Sequence, residues 1–291
     1  MMRALTNTQV LTGLAIVLLF VTLALLGPSL VRDSPTTQNL SEDLRPPRLE
    51  HPFGQDKLGR DVLSRVVYGA RVSLLVGVLV VGISASIGLG VGALAGYAGG
   101  RADDLIMRLI DVLMAFPGIL LAIALSAVLG PSLRNVLLAL SVIGWTGYAR
   151  LVRAEVLAWR NCEFVSAAIA LGATPLRVMA WHIFPQLLTP LLVQATFGMA
   201  GAMVGEASLS FLGLGVQPPT PSWGAMVNEG RSFLLIAPHI ALFPGLAMML
   251  TVLGLHVLGD GLRDALDVRG GELLSPTWGA ASEAVSPATS P

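Results

Sequence analysis

Carboxylates inside long apolar stretches are the positions in this sequence where chemistry is most expected. Asp111 and Glu206 each lie within such a stretch, and a charge there is costly unless it is paired or lines a polar route across a membrane. Glu206 could line such a route and attract an ammonium group, or it could hydrogen-bond to Ser208 or Ser210 and fix the packing. For Asp111 the sequence favours a structural pair with Arg108, which precedes it on the same helix face.

The histidines, the cysteine and the lysine form none of the common reactive patterns. None of the four histidines belongs to a His-x-x-x-His pair, so the sequence predicts no metal site. Cys162 is the only cysteine, which excludes an internal disulfide. Lys57 is the only lysine and lacks the preceding glycines of a P-loop, so no ATP site of that kind is expected. The sequence also offers no convergent nucleophile and base, which argues against a membrane-embedded enzyme.

Composition indicates the class of protein. Hydrophobic residues make up 54% of the 291 residues and charged residues make up 12%, and the mean hydropathy is +0.75. A soluble domain has about 25% charged residues, so this balance indicates a membrane protein. The formal net charge is zero and no basic tract occurs, so nucleic acid is not an expected partner.

Six apolar runs have the composition of membrane-crossing helices, although the fourth is short. They cover residues 10–31, 72–98, 105–129, 136–151, 187–212 and 233–258. No small-x-small cleavage site follows the first run, which favours a retained span over a signal peptide. Pro117 is expected to kink the third. The sequence therefore predicts an all-α polytopic membrane protein with six transmembrane helices.

Glycines at four-residue spacing predict where these helices approach one another. Gly88, Gly92 and Gly96 fall on one face of the second span, and Gly201 and Gly205 fall on one face of the fifth. Small residues let helix backbones come close in lipid, where hydrophobic burial does not drive association. Both faces are predicted helix-packing surfaces.

Two segments between the predicted spans differ from the apolar runs. Residues 61–71 have the pattern of an amphipathic helix lying along the membrane surface, from which nearby arginines could reach lipid phosphates. These arginines are Arg60, Arg65 and Arg71. Residues 211–226 contain three prolines, so we expect a rigid loop there, with Trp223 at the membrane interface.

Residues 163–185, EFVSAAIALGATPLRVMAWHIFP, hold a short amphipathic helix between the fourth and fifth predicted spans. Ala167, Ala168 and Leu171 can share one of its faces, and Gly172 then ends it. A second helix start follows, with proline in its first turn. Such a segment is typical of a surface helix that joins two spans, or of a helix that docks into a groove on a soluble partner.

This segment resembles the coupling loop of ABC importer permeases, in which two alanines are followed by a glycine and later by Ile-x-Pro. The matching residues are Ala167, Ala168, Gly172, Ile183 and Pro185. Ser166 stands where the family usually has glutamate. The resemblance implies that the segment forms a cytoplasmic coupling helix, between spans four and five, that contacts an ATPase.

Other segments are similar to the dipeptide and oligopeptide branch of that family. They are residues 51–74, 108–123 and 211–226. The chain thus resembles the C-type permease subunit, with an N-terminal span and external segment (1–70) followed by a permease domain (71–270). The tail, 271–291, is rich in Ser, Ala and Pro and is expected to be disordered.

The resemblance implies a subunit that forms half of a translocation pathway for di- or oligopeptides. Implied partners are a homologous second permease, two ATPase subunits that use ATP and Mg²⁺, an external substrate-binding protein and membrane lipid. The chain itself would bind no cofactor and catalyse no reaction. Asp111 and Glu206 become candidates for the pathway. The implied external gate loop contains Gln217, Pro218, Pro219 and Trp223.

The implied location is the bacterial cytoplasmic (inner) membrane, with both termini in the cytoplasm. Basic residues are too evenly distributed between the two predicted sides to decide this topology by charge.

Two alternatives share part of this pattern. Nickel and glutathione importers carry the same motifs, because selectivity lies largely in the binding protein. A secondary transporter would be expected to show several intramembrane carboxylates and inverted repeats, whereas this sequence has few such charges and no clear repeat. Transport that continues without ATP would favour the secondary transporter.

Overall fold

The computed structural model describes residues 7–31 and 33–271, and these form a bundle of α-helices. The helices are α1 (Thr8–Leu30), α2 (Val62–Ala98), α3 (Gly100–Met114), α4 (Gly118–Leu129), α5 (Leu133–Trp159), α6 (Glu163–Ala170), α7 (Pro175–Arg177), α8 (Phe184–Phe211), α9 (Trp223–Gly230) and α10 (His239–Gly271). Short helical turns lie at Leu40–Glu42, Val178–Ile183 and Arg231–Phe233. Residues 272–291 of the predicted disordered tail lie outside the described residues.

Among the described residues, five helices are long and apolar enough to cross a membrane, and a sixth crossing is added if α3 and α4 count as one broken span. The five are α1, α2, α5, the run Pro175–Phe211 that contains α8, and α10. α3 and α4 meet at an angle of 80°, and Pro117 lies in the break between them. The proline ring removes a backbone N–H and disfavours a continuous helix, which explains a bend at the predicted position. The helical membrane fold is confirmed, and the count of six spans stays a prediction.

α2 and α5 pack closely because the glycines on one face of α2 have no side chain. A Cβ built on Gly88 would lie 2.4 Å from the Cβ of Tyr148, and one on Gly96 would lie 2.9 Å from the Cβ of Val156. Gly92 lies between them on the same face. Residue numbers rise together along this contact, so the two helices are parallel. The chain must therefore return between them, and α3 and α4 occupy that part of the chain.

The glycines of α8 are less closely packed. A Cβ built on Gly205 would lie 3.0 Å from Cδ2 of Leu140 on α5, whereas nothing lies within 4 Å of one built on Gly201. Gly201 is exposed. One face of α8 is therefore open within the single chain.

α1 runs antiparallel to α10 along its length. A Cβ built on Gly13 would lie 2.4 Å from the backbone nitrogen of Leu258, and one on Gly254 would lie 2.6 Å from Cγ2 of Ile16. Residue numbers rise in opposite directions along this contact. The start of α1 and the end of α10 therefore lie at the same end of the bundle.

The bundle has two ends that differ in content. Gly27, late in α1, packs against Val67, early in α2, so the start of α1 lies at the same end as the end of α2. Arg160, after α5, donates a hydrogen bond of 2.9 Å to the backbone oxygen of Gly96, late in α2. One end of the bundle thus contains the start of α1, the end of α10 and residues 160–183. We call it the terminal end. The far end contains residues 33–61 and 212–238.

The surface helix predicted for residues 61–71 is wrong. Most of these residues form the first turns of α2 and continue into the span without a break. Arg60 and Arg65 are buried and pair with carboxylates, and Arg71 donates hydrogen bonds to backbone oxygens late in α1. An amphipathic pattern with arginines suits either a lipid surface or a polar protein interior. Only the packing of α1 and α9 against α2 distinguishes the two.

The loop predicted for residues 211–226 ends earlier than expected. α9 begins at Trp223, where the Ser222 hydroxyl caps the helix by accepting a hydrogen bond of 3.2 Å from the Ala225 N–H. Trp223 is 1% exposed, and its indole N–H donates a hydrogen bond of 2.9 Å to the backbone oxygen of Val66. The predicted interfacial position of Trp223 is therefore wrong, because α2 and α1 cover the ring.

Candidate coupling loop and membrane cavity

Helix α6, at the terminal end, stops at a glycine turn, and a new helical turn starts directly after it. Gly172 has a φ of +86°, a conformation that costs a glycine little. This turn lets the N–H groups of Gly172 and Ala173 bond back to the oxygens of Ile169 and Ala168, at 2.9 Å and 3.0 Å, in a helix-ending motif. Thr174 and a proline then start the next helical turn. The predicted stop and restart are both present.

An apolar cluster attaches this loop to the membrane helices. Val165 of α6 is 1% exposed, while Val178 and Ile183 are fully buried. They form one cluster with residues of α5 and α8, namely Val152, Val156 and Leu187. The loop is therefore joined to two long helices by packed side chains.

The outward side of the loop is apolar and uncovered. Leu171 is 90% exposed, Leu176 is 83% exposed and Trp181 is 77% exposed. Of the predicted coupling residues, the structure places Ser166, Ala167, Gly172 and Pro185 at the surface, Ala168 half-buried and Ile183 in the core. Large apolar side chains exposed close together in the chain are typical of a partner or membrane contact.

Two arginines of α5 pair with carboxylates of α3 near this end. Arg153 makes a two-bond pair with Asp103, at 2.5 Å and 2.6 Å. Arg150 donates a hydrogen bond of 2.7 Å to Asp111. The predicted pair of Asp111 with Arg108 is therefore wrong, because the tertiary packing brings α5 alongside. The Asp111 side chain is 67% exposed in the single chain.

A cavity of about 360 Å³ lies between α2, α4, α5 and α8. Its polar lining groups are Ser84, Tyr148 and Gln194. The predicted packing residues Gly201 and Gly205 also line it, whereas Glu206 and Asp111 do not. Sequence reasoning missed the three polar residues because serine, tyrosine and glutamine carry no charge that stands out within an apolar run.

Glu206 lies in the interior of the chain. It is 1% exposed, and one of its carboxylate oxygens accepts a hydrogen bond of 2.6 Å from the hydroxyl of Ser210. That hydroxyl also accepts a bond of 3.2 Å from the N–H of Val216 in the following loop. In the single chain, Glu206 thus holds the end of α8 in place through Ser210. This agrees with the alternative in which Glu206 has a packing role. Its part in a pathway stays a prediction.

The far end is held by a buried ion network. Arg60 pairs with Asp56 at 2.6 Å and with Glu229 at 2.8 Å, and Arg65 pairs with Glu229 at 2.8 Å and also with Asp56. The network joins the segment before α2 to α9. A sequence signal existed, because residues 51–74 carry charges of both signs, but the distant partner Glu229 could not be found from spacing.

The external gate loop predicted at the far end is mostly exposed. Gln217, Pro218 and Pro219 are exposed, and Trp223 is buried below them. The amide of Gln217 donates hydrogen bonds to the backbone oxygens of Gly213 and Gly215, at 3.1 Å and 3.0 Å. These bonds make the loop compact. Its role as a gate stays a prediction.

Within the described residues, one group of three possible metal ligands occurs at the far end. Asp33, His51 and Asp61 offer atoms within 4.8 Å of one another. Each oxygen of Asp61 already has a partner, since one pairs with His51 Nδ1 at 2.9 Å and the other accepts a bond of 2.7 Å from the Ser64 N–H. We therefore describe the group as a helix cap with a paired histidine.

Two known protein families match most of the chain. A family described as "Binding-protein-dependent transport system inner membrane component" matches residues 88–269. A second family, described as "N-terminal TM domain of oligopeptide transport permease C", matches residues 2–47.

Individual relatives agree with these matches. The chain is 46% identical to the dipeptide transport system permease protein DppC of Alkalihalophilus pseudofirmus, over 90% of this chain and 86% of the relative. It is 50% identical to the glutathione transport system permease protein GsiD of Escherichia coli, over 76% of this chain and 73% of the relative. It is 46% identical to a putative peptide transport system permease protein of Brucella suis, over 88% of this chain and 86% of the relative.

A solved structure shares the fold. The structure titled "Inward facing conformations of the MetNI methionine ABC transporter" superposes with a TM-score of 0.57 at 19% identity, over 69% of this chain and 95% of that chain. At this identity the likeness concerns the fold alone. The family match, the relatives and the helical bundle together show a multi-pass transport subunit rather than an enzyme, and the chain belongs to the family of binding-protein-dependent transport system inner membrane components.

Proposed function

We propose that this chain is one of two permease subunits of an ATP-driven importer for di- or oligopeptides. The observation that carries the proposal is the apolar loop at the terminal end, which is exposed on its outward side and joined by a packed core to α5 and α8. In a family of transport subunits, such a loop is suited to receive force from a soluble partner. The chain matches that family over residues 88–269.

Two separate ATPase subunits, which use ATP and Mg²⁺, would supply that force. Leu171, Leu176 and Trp181 expose apolar surface that a groove on an ATPase would cover. Residues 166–172 would form the contact. At this contact the neutral Ser166 would take the place of the glutamate that the family usually has. The motion of α6 would reach the membrane helices through Val165, Val178 and Ile183.

A homologous second permease would complete the pathway. The face of α8 around Gly201 is open in the single chain, and the cavity beside it lies among helices that a partner subunit would cover. Substrate would enter from an external binding protein when the pathway opens outward, and would leave when it opens inward. ATP would shift the population between these two states.

The proposed orientation follows from the coupling role. If α6 meets a cytoplasmic ATPase, the terminal end is cytoplasmic, and with it the start of α1 and the end of α10. The far end, with residues 33–61 and the loop 212–222, then faces the binding protein outside. Six crossings satisfy this arrangement, because the parallel pair α2 and α5 needs a return through α3 and α4.

Peptides are the proposed substrates because the relatives are described as transporting dipeptides, peptides and glutathione. Glutathione itself contains a peptide bond, so these names share one chemistry. Nickel import by the same architecture remains the alternative.

Reconstitution of the purified complex tests the proposal. The tagged chain is expected to co-purify with a second permease and two ATPases, and proteoliposomes that contain ATP should accumulate dipeptide supplied with the binding protein. Vesicles without ATP, and vesicles with ATP and a hydrolysis-deficient ATPase, are the controls. Uptake driven by an ion gradient in the absence of ATP would contradict the proposal and favour a secondary transporter.

A further inference from the structure

We infer that α3 lies along the lipid surface at the terminal end instead of crossing the membrane, with an exposed apolar ridge among the acyl chains and two arginines on phospholipid phosphate groups. The apolar ridge consists of Ala102, Leu105, Leu109 and Val112, and the arginines are Arg101 and Arg108. This inference goes beyond the proposed function, because it concerns how one element contacts lipid and does not depend on what is transported.

The direction of α3 follows from the helical hairpin beside it. A Cβ built on Gly118, at the start of α4, would lie 3.2 Å from Cγ2 of Ile143 on α5. At the end of α4, the side chain of Asn135 donates a hydrogen bond of 2.8 Å to the backbone oxygen of Leu129. α4 and α5 are therefore antiparallel neighbours. α3 meets α4 at 80°, so it lies across this hairpin and not along it.

The chain turns sharply at both ends of α3. Gly99 and Gly100 have φ values of +65° and +57°, which glycine adopts at little cost, and they redirect the chain after the long helix α2. At the other end, Pro117 lies in the break before α4, and its missing N–H disfavours a continuous helix. α3 is thus a separate element, and the return from the terminal end is made by α4.

The ion pairs of α3 show how deep it lies. α5 has no Asp, Glu, Lys or Arg between Arg134 and Arg150, a length of about 24 Å at 1.5 Å per residue. α3 meets α5 beyond the terminal limit of this stretch. Arg150 pairs with Asp111 at 2.7 Å, and Arg153 pairs with Asp103 at 2.5 Å. The hydrocarbon layer is about 30 Å thick, so these pairs lie at its edge.

A neighbouring helix becomes polar at the same level. A Cβ built on Gly259 of α10 would lie 3.0 Å from Cζ of Phe197 on α8. One turn away on α8, the backbone oxygen of Gln194 accepts a hydrogen bond of 3.3 Å from Tyr148 of α5. Asp260, which follows Gly259, is the first Asp, Glu, Lys or Arg of α10. Charges thus begin together on α5 and α10, as expected where both helices leave the apolar layer.

The faces of α3 differ as they do in helices that lie on lipid. Ile110 and Asp103 are buried against the bundle. The apolar ridge lies on another side, because residues three and four apart share one face of a helix. All four of its residues are exposed in the single chain. Large apolar side chains gain free energy when they leave water, so this ridge is suited to the acyl chains beside it.

Arg101 and Arg108 border the apolar ridge. They are two helical turns apart, on the same edge, and both are exposed. Within the described part of the chain neither forms an ion pair, not even with Asp104 between them. An arginine stem can lie on apolar surface while its charge stays among the headgroups, and a guanidinium binds phosphate oxygens through two parallel hydrogen bonds. A phospholipid fits both features, since it joins acyl chains to a phosphate.

Depth measurements on the assembled complex test the orientation of α3. In a Cys162→Ser background, which lacks other cysteines, each residue of the apolar ridge is replaced by cysteine in turn and labelled with a small fluorophore. The complex is reconstituted in vesicles whose lipids are brominated at defined acyl carbons, and quenching gives the depth. We expect four similar depths close to the headgroups. In a crossing helix, the labels at Ala102→Cys and Val112→Cys would differ in depth by about 15 Å.

Three exposed leucines of α1 provide the matched control, namely Leu11, Leu18 and Leu25. They lie on a helix that is long enough to cross the membrane. Labels at Leu11→Cys and Leu18→Cys should therefore differ in depth by about 10 Å, with Leu18→Cys the deepest of the three. A comparable change of depth along α3 would overturn the inference. Labels on α3 that lipid does not quench, beside normal quenching on α1, would show that protein covers the ridge and would also overturn it.

A separate measurement tests the arginines. Phosphatidylglycerol added to the complex in detergent should raise the melting temperature, and the double variant Arg101→Gln/Arg108→Gln should lose most of that shift. Inorganic phosphate at the same concentration should not reproduce the shift, because it lacks acyl chains. Arg177→Gln, at an exposed position at the same end, is the control and should keep the shift. A double variant that keeps it in full would overturn the assignment of phosphate binding.

Discussion

At the scale of single residues, the arginines buried at the far end meet carboxylates. The clearest case is the network of Asp56, Arg60, Arg65 and Glu229 at the far end. Two acids and two arginines leave no net charge there. Removing one member would leave the others buried without compensation, which is far more costly than the pair is stabilising.

Replacing Glu229 by alanine should therefore lower the free energy of unfolding by about 3–5 kcal/mol. The matched control is Glu50→Ala, because the Glu50 side chain is 81% exposed and makes only a long pair with Arg48; its effect should stay within about 0.5 kcal/mol. Unfolding by detergent titration of the purified protein measures both. Equal small losses in the two variants would contradict the assignment of a buried network.

Glu42 should make stability depend on pH in the acid range. A hydrogen bond from Arg48, and a second from Gln55, hold the pKa of Glu42 below its ordinary value of 4.5. A lowered pKa in the folded state contributes stability that is present above the unfolded value and is lost as pH falls through the folded value. The melting temperature should thus decline below pH 4.5 more steeply for wild type than for Glu42→Gln. The neighbouring exposed substitution Asp43→Asn should keep the wild-type slope; if it also flattened the curve, Glu42 would not be the group responsible.

At the scale of elements, the contact between α2 and α5 depends on missing side chains. A Cβ on Gly92 would lie 2.4 Å from the backbone oxygen of Ala149, so the helices would have to separate to admit one. A side chain added where the helix faces lipid or empty space would not force the helices apart. Position on the helix therefore decides which glycines are required.

Gly92→Leu should destabilise the protein by about 3 kcal/mol, at the upper part of the usual overpacking range. Gly90→Leu on the same helix is the control, since nothing lies within 4 Å of its added Cβ, and it should change stability little. Thermal unfolding in detergent measures the difference. Similar melting temperatures for the two variants would contradict the close contact.

A substitution at Gly172 tests whether the loop that contains α6 couples ATP hydrolysis to uptake. Its φ of +86° disfavours any side chain, and its exposure places a new side chain at the proposed ATPase contact. Gly172→Arg should uncouple ATP hydrolysis from uptake while the protein still inserts in the membrane. Uptake at the wild-type rate per ATP hydrolysed would remove the coupling role. Gly130→Arg, at a half-buried turn with positive φ and no atom within 4 Å of an added Cβ, controls for backbone strain.

At the scale of the whole molecule, the two ends of the bundle are expected to face opposite sides of the membrane. Leu49 at the far end is fully exposed and Leu171 at the terminal end is 90% exposed. In a Cys162→Ser background, which lacks other cysteines, an impermeant maleimide applied to intact spheroplasts should label Leu49→Cys and not Leu171→Cys. Permeabilised cells that express the chain without the ATPase subunits, which would otherwise cover Leu171, should label both. The opposite pattern would invert the proposed orientation.

The sequence alone determined the class of protein and most of its long helices, and it predicted the short helix that precedes Gly172. Long apolar runs and glycine spacing are local properties, and they indicate helices in lipid whatever the rest of the chain does. The stop at Gly172, the restart at Pro175 and the break at Pro117 follow from backbone chemistry in the same way. The resemblance of residues 163–185 supplied the family, which the comparisons confirm.

Only the tertiary structure decided which polar groups meet. Asp111 pairs with Arg150 rather than Arg108, and Arg65 pairs with Glu229 rather than lipid. The same structure assembled the neutral cavity at Ser84 from four helices. Sequence spacing determines the neighbours of a residue along one helix, whereas contacts between helices depend on how close the backbones come. That distance is set by side chains far apart in the chain, and it decides whether a polar group finds a partner, a cavity or lipid.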